Sequence, residues 1–496
     1  MSLPLKLPET PQVFKIFING QWSSSNSGEL IERRSPGHGT PVSHWPSGNE
    51  RDIDEAVSAA RIAFEKGPWP RMSCGERAEI LYRTADLVLE NFEDLALTET
   101  LETGKPINQS RGEIQGAAEI WRFAAGAART LHGETFNNLG EHMIGLVLRE
   151  PIGVVGLITP WNFPFFILAE RLPFILASGC TTVVKPAETT SGSTLKLCNL
   201  LQEAGLPNGV VNVVTGYGPV AGQRLLDSSD VDMVSFTGST EVGRKALHAS
   251  ASNIKKVGLE LGGKNPHVVF QDADIDSAAD GVAFGMCFNA GQCCVGASRL
   301  VVHRNVAEQF SEKLSLLLGK VNVGDPLDEN TQVGAMFNEA HLAKVLRHIE
   351  EAKESGATVV CGGHRTGPRE GLFIAPTLMT GASREMKISR SEVFGPVLTV
   401  YPFDSYEEAI AIANDTEYGL AASIWSNDLN HAMRAFRDIR AGRIWVNTTL
   451  DNGPETPLGG FKQSGLGRET GLTGIEEYTE VKTVHVKLGN REPWLS

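Results

Sequence analysis

Short, wholly apolar runs alternate along this chain with longer stretches in which apolar residues recur every three or four positions. "RAEILYRTADLVLENF", within residues 76–98, has the 3.6-residue period of a helix with one buried face, as do residues 52–65. From residue 153 the rhythm becomes regular. "GVVGLIT" (153–159), "TTVVKP" (181–186), "GVVNVVTG", "VDMVSFTGS" and "KKVGLELGG" predict buried strands. "PFFILAERLPFIL", interrupted by Pro173, and "SGSTLKLCNLLQEAG", closed by a glycine, predict helices between them. Apolar strands alternating with helices predict a parallel sheet covered on both faces, with ligands at the carboxyl ends of its strands. A second α/β pattern follows, with strands at "HVVF" (267–270), "RLVVH" (299–303) and "ATVVCGG" (357–363). Two strand-like stretches, "HMIGLVLREP" (142–151) and "TEVKTVHVKL" (479–488), lie outside the rhythm and are expected to pair with each other or with another subunit.

Composition narrows the function classes. The 496 residues suffice for a large core and more than one domain, and 41% apolar with 21% charged residues is ordinary for a globular protein. A formal charge of −14 argues against nucleic acid or anionic lipid as the main partner. The uncharged stretch from Pro151 to Ala169 is long enough to span a bilayer, but prolines at 151, 160 and 164 fit a strand, a turn and a helix instead. The start, "MSLPLKLPETPQVFKIF", lacks the uninterrupted apolar core of a signal peptide, and seven irregularly spaced cysteines do not resemble a disulfide framework. A cytoplasmic location is expected.

Two of those cysteines, Cys293 and Cys294 in "FNAGQCCVGASRL", are adjacent. Neighbouring α-carbons lie about 3.8 Å apart, below the usual disulfide span of ~4.4–6.8 Å, so a bond between them would be strained. A metal site needs spaced ligands, and none stands nearby; no metal is expected. That leaves inert buried thiols or a nucleophile. The pair follows a predicted helix, "DSAADGVAFGMCF", at irregular and approachable backbone, where a thiolate attacks carbonyl carbons well.

Taken together, "ITPWNFP" (158–164), "VVKPAE" (183–188), "FTGSTEVG" (236–243), "LELGGKNP" (259–266), "GQCC" (291–294) and "EVFGPV" (392–397) resemble, in order, the signature motifs of the aldehyde dehydrogenase superfamily, NAD-dependent and hydrolytic in type. The resemblance runs from about residue 15 to residue 485. It implies an α/β fold: a Rossmann-like dinucleotide-binding domain (1–127 and 150–259), a second α/β catalytic domain (260–476) and a small β oligomerisation arm (128–149 and 477–496). A homodimer or homotetramer is expected, with no nucleic-acid or membrane partner.

The resemblance also assigns roles. Cys294 is the nucleophile and Cys293 a spectator. The Asn162 side chain and the Cys294 N–H form an oxyanion hole, where one donor is worth about 10²–10³ in rate. On the residues alone Asn162, before Phe163 and Pro164 at a helix start, reads as a helix cap. Glu260, otherwise an ordinary carboxylate, is the base that activates water against the thioester. Neither "FTGSTEVG" nor "GYGPVAG" has the G-x-G-x-x-G spacing; by resemblance Phe236, Gly238 and Ser239 belong to the cofactor site, with Ser239 and nearby N–H groups at the pyrophosphate. Lys185 and Glu188 grip the adenosine ribose and favour NAD over NADP. Glu392 positions the nicotinamide ribose beside Phe394, and Thr159, Pro160 and Trp161 line the cofactor cleft. Phe163, Glu170, Phe288, Leu450, Asn452 and Leu458 line the aldehyde tunnel, with Phe166 and Ile167 on the same helical face. A carboxylate at 170 suits a cationic amino-aldehyde, unless Arg171 neutralises it. Two other readings stay open: a semialdehyde dehydrogenase that passes its thioester to coenzyme A, and a catalytically silent structural relative.

Overall fold

A computed structural model describes residues 5–491 and 493–495; the outermost ends of the expected first domain and arm (residues 1–4, Glu492 and Ser496) lie outside them. The eight-stranded first sheet has a parallel centre in the order Lys256–Glu260, Met233–Thr237, Val154–Ile158, Thr181–Lys185, Val211–Val213. Side chains alternate across it with the period of two that a strand imposes. Val155, Leu157, Val184 and Met233 pack with Leu81, Val88 and Trp121 from the helices Cys74–Glu90 and Ile107–Ala128. Val154, Ile158, Val183 and Val234 pack on the other face with Ile53 and Val57 of the helix Glu50–Lys66. Burial on both faces explains why these strands read as unbroken apolar runs.

Chain order fixes where this sheet opens. From Val154–Ile158 the chain moves outward to Thr181–Lys185 and Val211–Val213, then returns to the opposite side at Met233–Thr237. The strand order reverses there, and the connecting segments part to leave a crevice at the carboxyl ends. Thr159 and Gly238 follow those strands.

A seven-stranded second sheet runs Thr358–Cys361, Thr377–Thr380, Val397–Phe403, Ala297–His303, Asn265–Val269, Ala421–Trp425, Arg443–Val446, parallel except at its first strand. The two outlying stretches pair with each other: Met143–Pro151 and Thr479–Lys487 lie antiparallel from Pro151↔Thr479 to Met143↔Lys487, with Glu134–Phe136 alongside. Gly465–Leu466 crosses back to pair with Leu259 and Glu260 of the first sheet.

The helix expected over 164–176 is two helices, Pro164–Ala169 and Leu172–Ser178. The break falls at Glu170 and Arg171, before Pro173 rather than at it. Proline in a first turn costs nothing, because its missing N–H has no helical partner there. Asn162 does not cap this segment: Phe163 holds the cap position without a side-chain hydrogen bond.

Behind that helix Lys105 is fully buried, its Nζ 2.5 Å from Glu113, 3.7 Å from Glu99 and 4.6 Å from the centre of the Phe163 ring. Burial pushes the Glu113 carboxyl up to about 7. Lys105→Met removes the cation between two buried acids and should cost about 3–5 kcal/mol, read as a lower denaturation midpoint; an unchanged midpoint would exclude this ion pair as a structural element. Among the described residues all seven cysteines are free, no His, Cys, Asp and Glu cluster is placed to hold a metal ion, and no helix is long and apolar enough to cross a membrane.

Candidate active site

Cys294 lies in the loop between the helix Ile275–Cys287 and the strand Ala297–His303. Three consecutive left-handed residues, Asn289 (φ 52°), Ala290 (φ 54°) and Gly291 (φ 70°), turn the chain there. Gly291 is obligatory: a β-carbon would lie 2.2 Å from the Gly395 carbonyl carbon. Side-chain amides hold the rest of the loop. Asn265 Nδ2 donates to the carbonyls of Cys294 and Gly296, both at 2.8 Å, and Asn289 Nδ2 donates to those of Asn162 (3.0 Å) and Gln292 (3.1 Å). Asn162 Nδ2 donates to the Gln292 carbonyl at 3.1 Å, which leaves its second hydrogen free. The Cys294 N–H donates to no protein acceptor among the described residues.

The adjacent thiols differ in surroundings. Cys293 is buried against Phe163 and Ile167, and burial pushes its thiol up to about 12. Cys294 is partly exposed and faces a cavity of ≈ 360 Å³. Its thiol is also held well above the ordinary range, first by desolvation, then by Cys293, Glu392, Glu170 and Glu260. Glu260 ends the strand Lys256–Glu260 and opens onto the same cavity. Its Oε1 is buried without a hydrogen-bond partner. Desolvation raises its carboxyl to about 8; Arg171 opposes the rise, while Glu469 and Glu170 add to it. At neutral pH the resting site therefore holds a thiol and a mostly protonated acid.

All the expected tunnel residues, Phe163, Glu170, Phe288, Leu450, Asn452 and Leu458, line this cavity, as do Phe166 and Ile167. Phe163 and Phe288 stack with ring centres 5.8 Å apart. Glu170 is buried, with Arg171 3.7 Å away, and desolvation raises its carboxyl to about 6 against the pull of Arg171 and Arg443. Arg171 also lies 3.4 Å from Glu469, which accepts from Tyr478 Oη at 2.8 Å.

Of the expected cofactor residues, Thr159, Lys185 and Gly238 stand at or just past the carboxyl ends of first-sheet strands. Lys185 ends its strand buried, with Nζ 3.3 Å from Glu188 Oε2, and Glu188 is partly exposed. Ser239 caps the helix Thr240–Ser250, accepting from the Val242 N–H at 3.3 Å. Phe236 is buried in the core under the crevice, its ring against Gly238. Glu392 accepts from the Gly263 N–H at 3.0 Å, and a β-carbon at Gly262 would sit 2.4 Å from its carboxylate. Trp161, next to Pro160, stacks on Phe337 at 3.9 Å and meets Phe394 edge-on at 5.5 Å. Among the described residues the hydroxyl of Thr159 is buried without a partner, which fits a polar ligand at this strand end.

Residues 22–484 match the model of the "Aldehyde dehydrogenase family". The chain belongs to the aldehyde dehydrogenase family. It is 44% identical to "Aldehyde dehydrogenase family 2 member C4" of Arabidopsis thaliana, over 99% of this chain and 98% of that relative. Among solved structures, an NAD-dependent aldehyde dehydrogenase from Sinorhizobium meliloti superposes with a TM-score of 0.97 at 51% identity, covering 98% of this chain and 97% of that one. An NAD⁺ complex of an aldehyde dehydrogenase from Bacillus cereus gives 0.95 at 40% identity, with 96% and 97% covered. Two residues that hold the loop carry no mark in the sequence motifs: Asn265 sits in "LELGGKNP" and Asn289 in "FNAGQCC". Phe337 and Arg443 had no sequence signal.

Proposed function

We propose that this aldehyde dehydrogenase oxidises an aldehyde to its carboxylic acid with NAD⁺, through a thioester on Cys294 that is hydrolysed by water activated at Glu260. The observation that carries the reading is the meeting of a partly exposed Cys294 thiol and a partner-free Glu260 oxygen on one cavity. Cys294 loses its proton and its sulfur adds to the carbonyl carbon, giving a hemithioacetal. The free hydrogen of Asn162 Nδ2 and the Cys294 N–H are the donors for the resulting oxyanion. Lys185, Glu188, Gly238, Ser239, Glu392 and Phe394, with Thr159 and Trp161, would hold the dinucleotide, which when bound supplies the hydride acceptor. The Glu188 carboxylate is an acceptor for ribose hydroxyls and repels a 2′-phosphate, favouring NAD over NADP. Ionised Glu260 then takes a proton from water as its oxygen attacks the thioester, and the C–S bond breaks to release the acid and the thiolate.

The cavity wall is mostly apolar and aromatic, which suits an aldehyde with an apolar body. Glu170 lies 3.7 Å from Arg171, whose charge opposes its own, so it offers little to the ammonium of an amino-aldehyde. We further assign residues 1–127 and 150–259 to cofactor binding, 260–476 to catalysis, and 128–149 with 477–496 to an arm that joins a homodimer or homotetramer. The exposed outer strand of that arm supports the last assignment. The free thiols fit a reducing, cytoplasmic location.

The test mixes protein, NAD⁺ and a panel of aliphatic and aromatic aldehydes and follows NADH and the acid. One NADH and one acid per aldehyde support the reading. No NADH with any aldehyde overturns it, and acyl-CoA in place of acid when coenzyme A is supplied assigns the acylating reaction.

A further inference from the structure

The strand Arg443–Val446 forms the edge of the second sheet and begins beside the nucleophile. Its first residue is held by a backbone bond from Arg443 N–H to the Leu420 carbonyl at 3.0 Å. Alternation along the strand turns Arg443 and Trp445 to the same side, and both line the cavity with Cys294, Glu260 and Glu170. The other cation on this wall, Arg171, is committed: it reaches Glu469 at 3.4 Å, Glu170 at 3.7 Å and the Ile167 carbonyl at 3.2 Å. Among the described residues, the Arg443 guanidinium makes no hydrogen bond and no ion pair with any carboxylate.

The groups facing Cys294 from the surrounding elements are Cys293, Glu392, Glu170 and Glu260, each of which opposes a thiolate when ionised. Those facing Glu260 are Arg171, Arg468, Glu469 and Glu170. The charges that Arg443 feels are Glu170, Glu260 and Cys294. The proposed reaction places negative charge on Cys294 and on Glu260 in turn, in a cavity that already holds Glu170. A guanidinium remains charged throughout the working pH range.

We propose that Arg443 is the counter-cation of the active site, holding the Cys294 thiolate and the ionised Glu260 rather than the substrate. It is a positioning residue that acts through those two groups, and the proposal rests on the nucleophile and base assignments above. The thiol proton passes to solvent water, and the positive charge left facing the sulfur stabilises the anion.

Alkylation by iodoacetamide tests this without cofactor or aldehyde. The probe is neutral and reacts with thiolate, and peptide mass analysis isolates Cys294 from the other cysteines. The rate is followed against pH in the full-length protein. Arg443→Met should move the midpoint for Cys294 upward by about one unit or more, slowing alkylation about tenfold at neutral pH. Arg443→Lys should restore most of the shift, and Glu170→Gln, which removes an anion from the same wall, should move the midpoint downward. If Arg443→Met fails to fold, the shape-similar Arg443→Gln takes its place. Slower alkylation with an unmoved midpoint would reveal a merely structural role and overturn the proposal, as would a lysine variant no better than methionine. A Cys294→Ser enzyme that still turns over would defeat the nucleophile assignment separately, because alkylation is scored independently of turnover.

Discussion

Cys294→Ser should reduce aldehyde oxidation by at least about 10³-fold, whereas Cys293→Ser should leave it nearly unchanged. Serine matches the thiol in shape, so packing and the oxyanion donors stay in place. A hydroxyl, however, is a weak nucleophile unless a strong base sits against it. Glu260, with its carboxyl near 8 and mostly protonated at neutral pH, is a poor activator for it. Cys293 is packed against Phe163 and Ile167, with its sulfur held protonated by burial. Steady-state NADH formation measures the loss, and thermal unfolding of both variants checks that the fold survives. Equal losses in the two variants would mean that the loop, not one sulfur, had been damaged.

Glu260→Gln should separate the two halves of the reaction. Acylation of Cys294 should persist, giving a burst of about one NADH per active site, while turnover falls about 10²–10⁴-fold for want of a general base. The pH dependence supplies the sign. Burial raises the Glu260 carboxyl to about 8, so the basic form is scarce below that pH. Wild-type turnover should rise with pH through about 8, and the glutamine variant should lose that limb. Rapid-mixing absorbance with a pH series measures both; a glutamine variant with no burst would place Glu260 in acylation instead.

Much of the first sheet was legible because strands buried on both faces cannot hide their apolar runs. The predicted strands at 153–159 and 181–186 became Val154–Ile158 and Thr181–Lys185. The pairing of Met143–Pro151 with Thr479–Lys487 was one of two options, since alternation shows that a strand has two faces but not which partner lies beside it. The helix over 164–176 was misjudged at its break. Pro173 draws the eye, yet a proline in the first turn is compatible with a helix, and the chain bends one turn earlier. That bend sets Glu170 and Arg171 at the cavity, and local sequence carries no sign of it.

The sequence by itself determined the family and the parallel first sheet, because both are written in contiguous motifs and apolar runs, and it supplied Cys294 and Glu260 as the candidates for nucleophile and base. Tertiary structure alone decided their chemical state. Cys293 and Cys294 share a sequence neighbourhood but not an exposure. The Glu260 carboxyl is raised to about 8 by burial, with Arg171 opposing and Glu469 and Glu170 adding to the rise, residues from two separate segments. Asn265 grips the nucleophile loop from another strand, and Arg443 reaches the same cavity from a sheet edge distant in the chain. Desolvation and charge depend on distance through space, and distance along the chain does not record it.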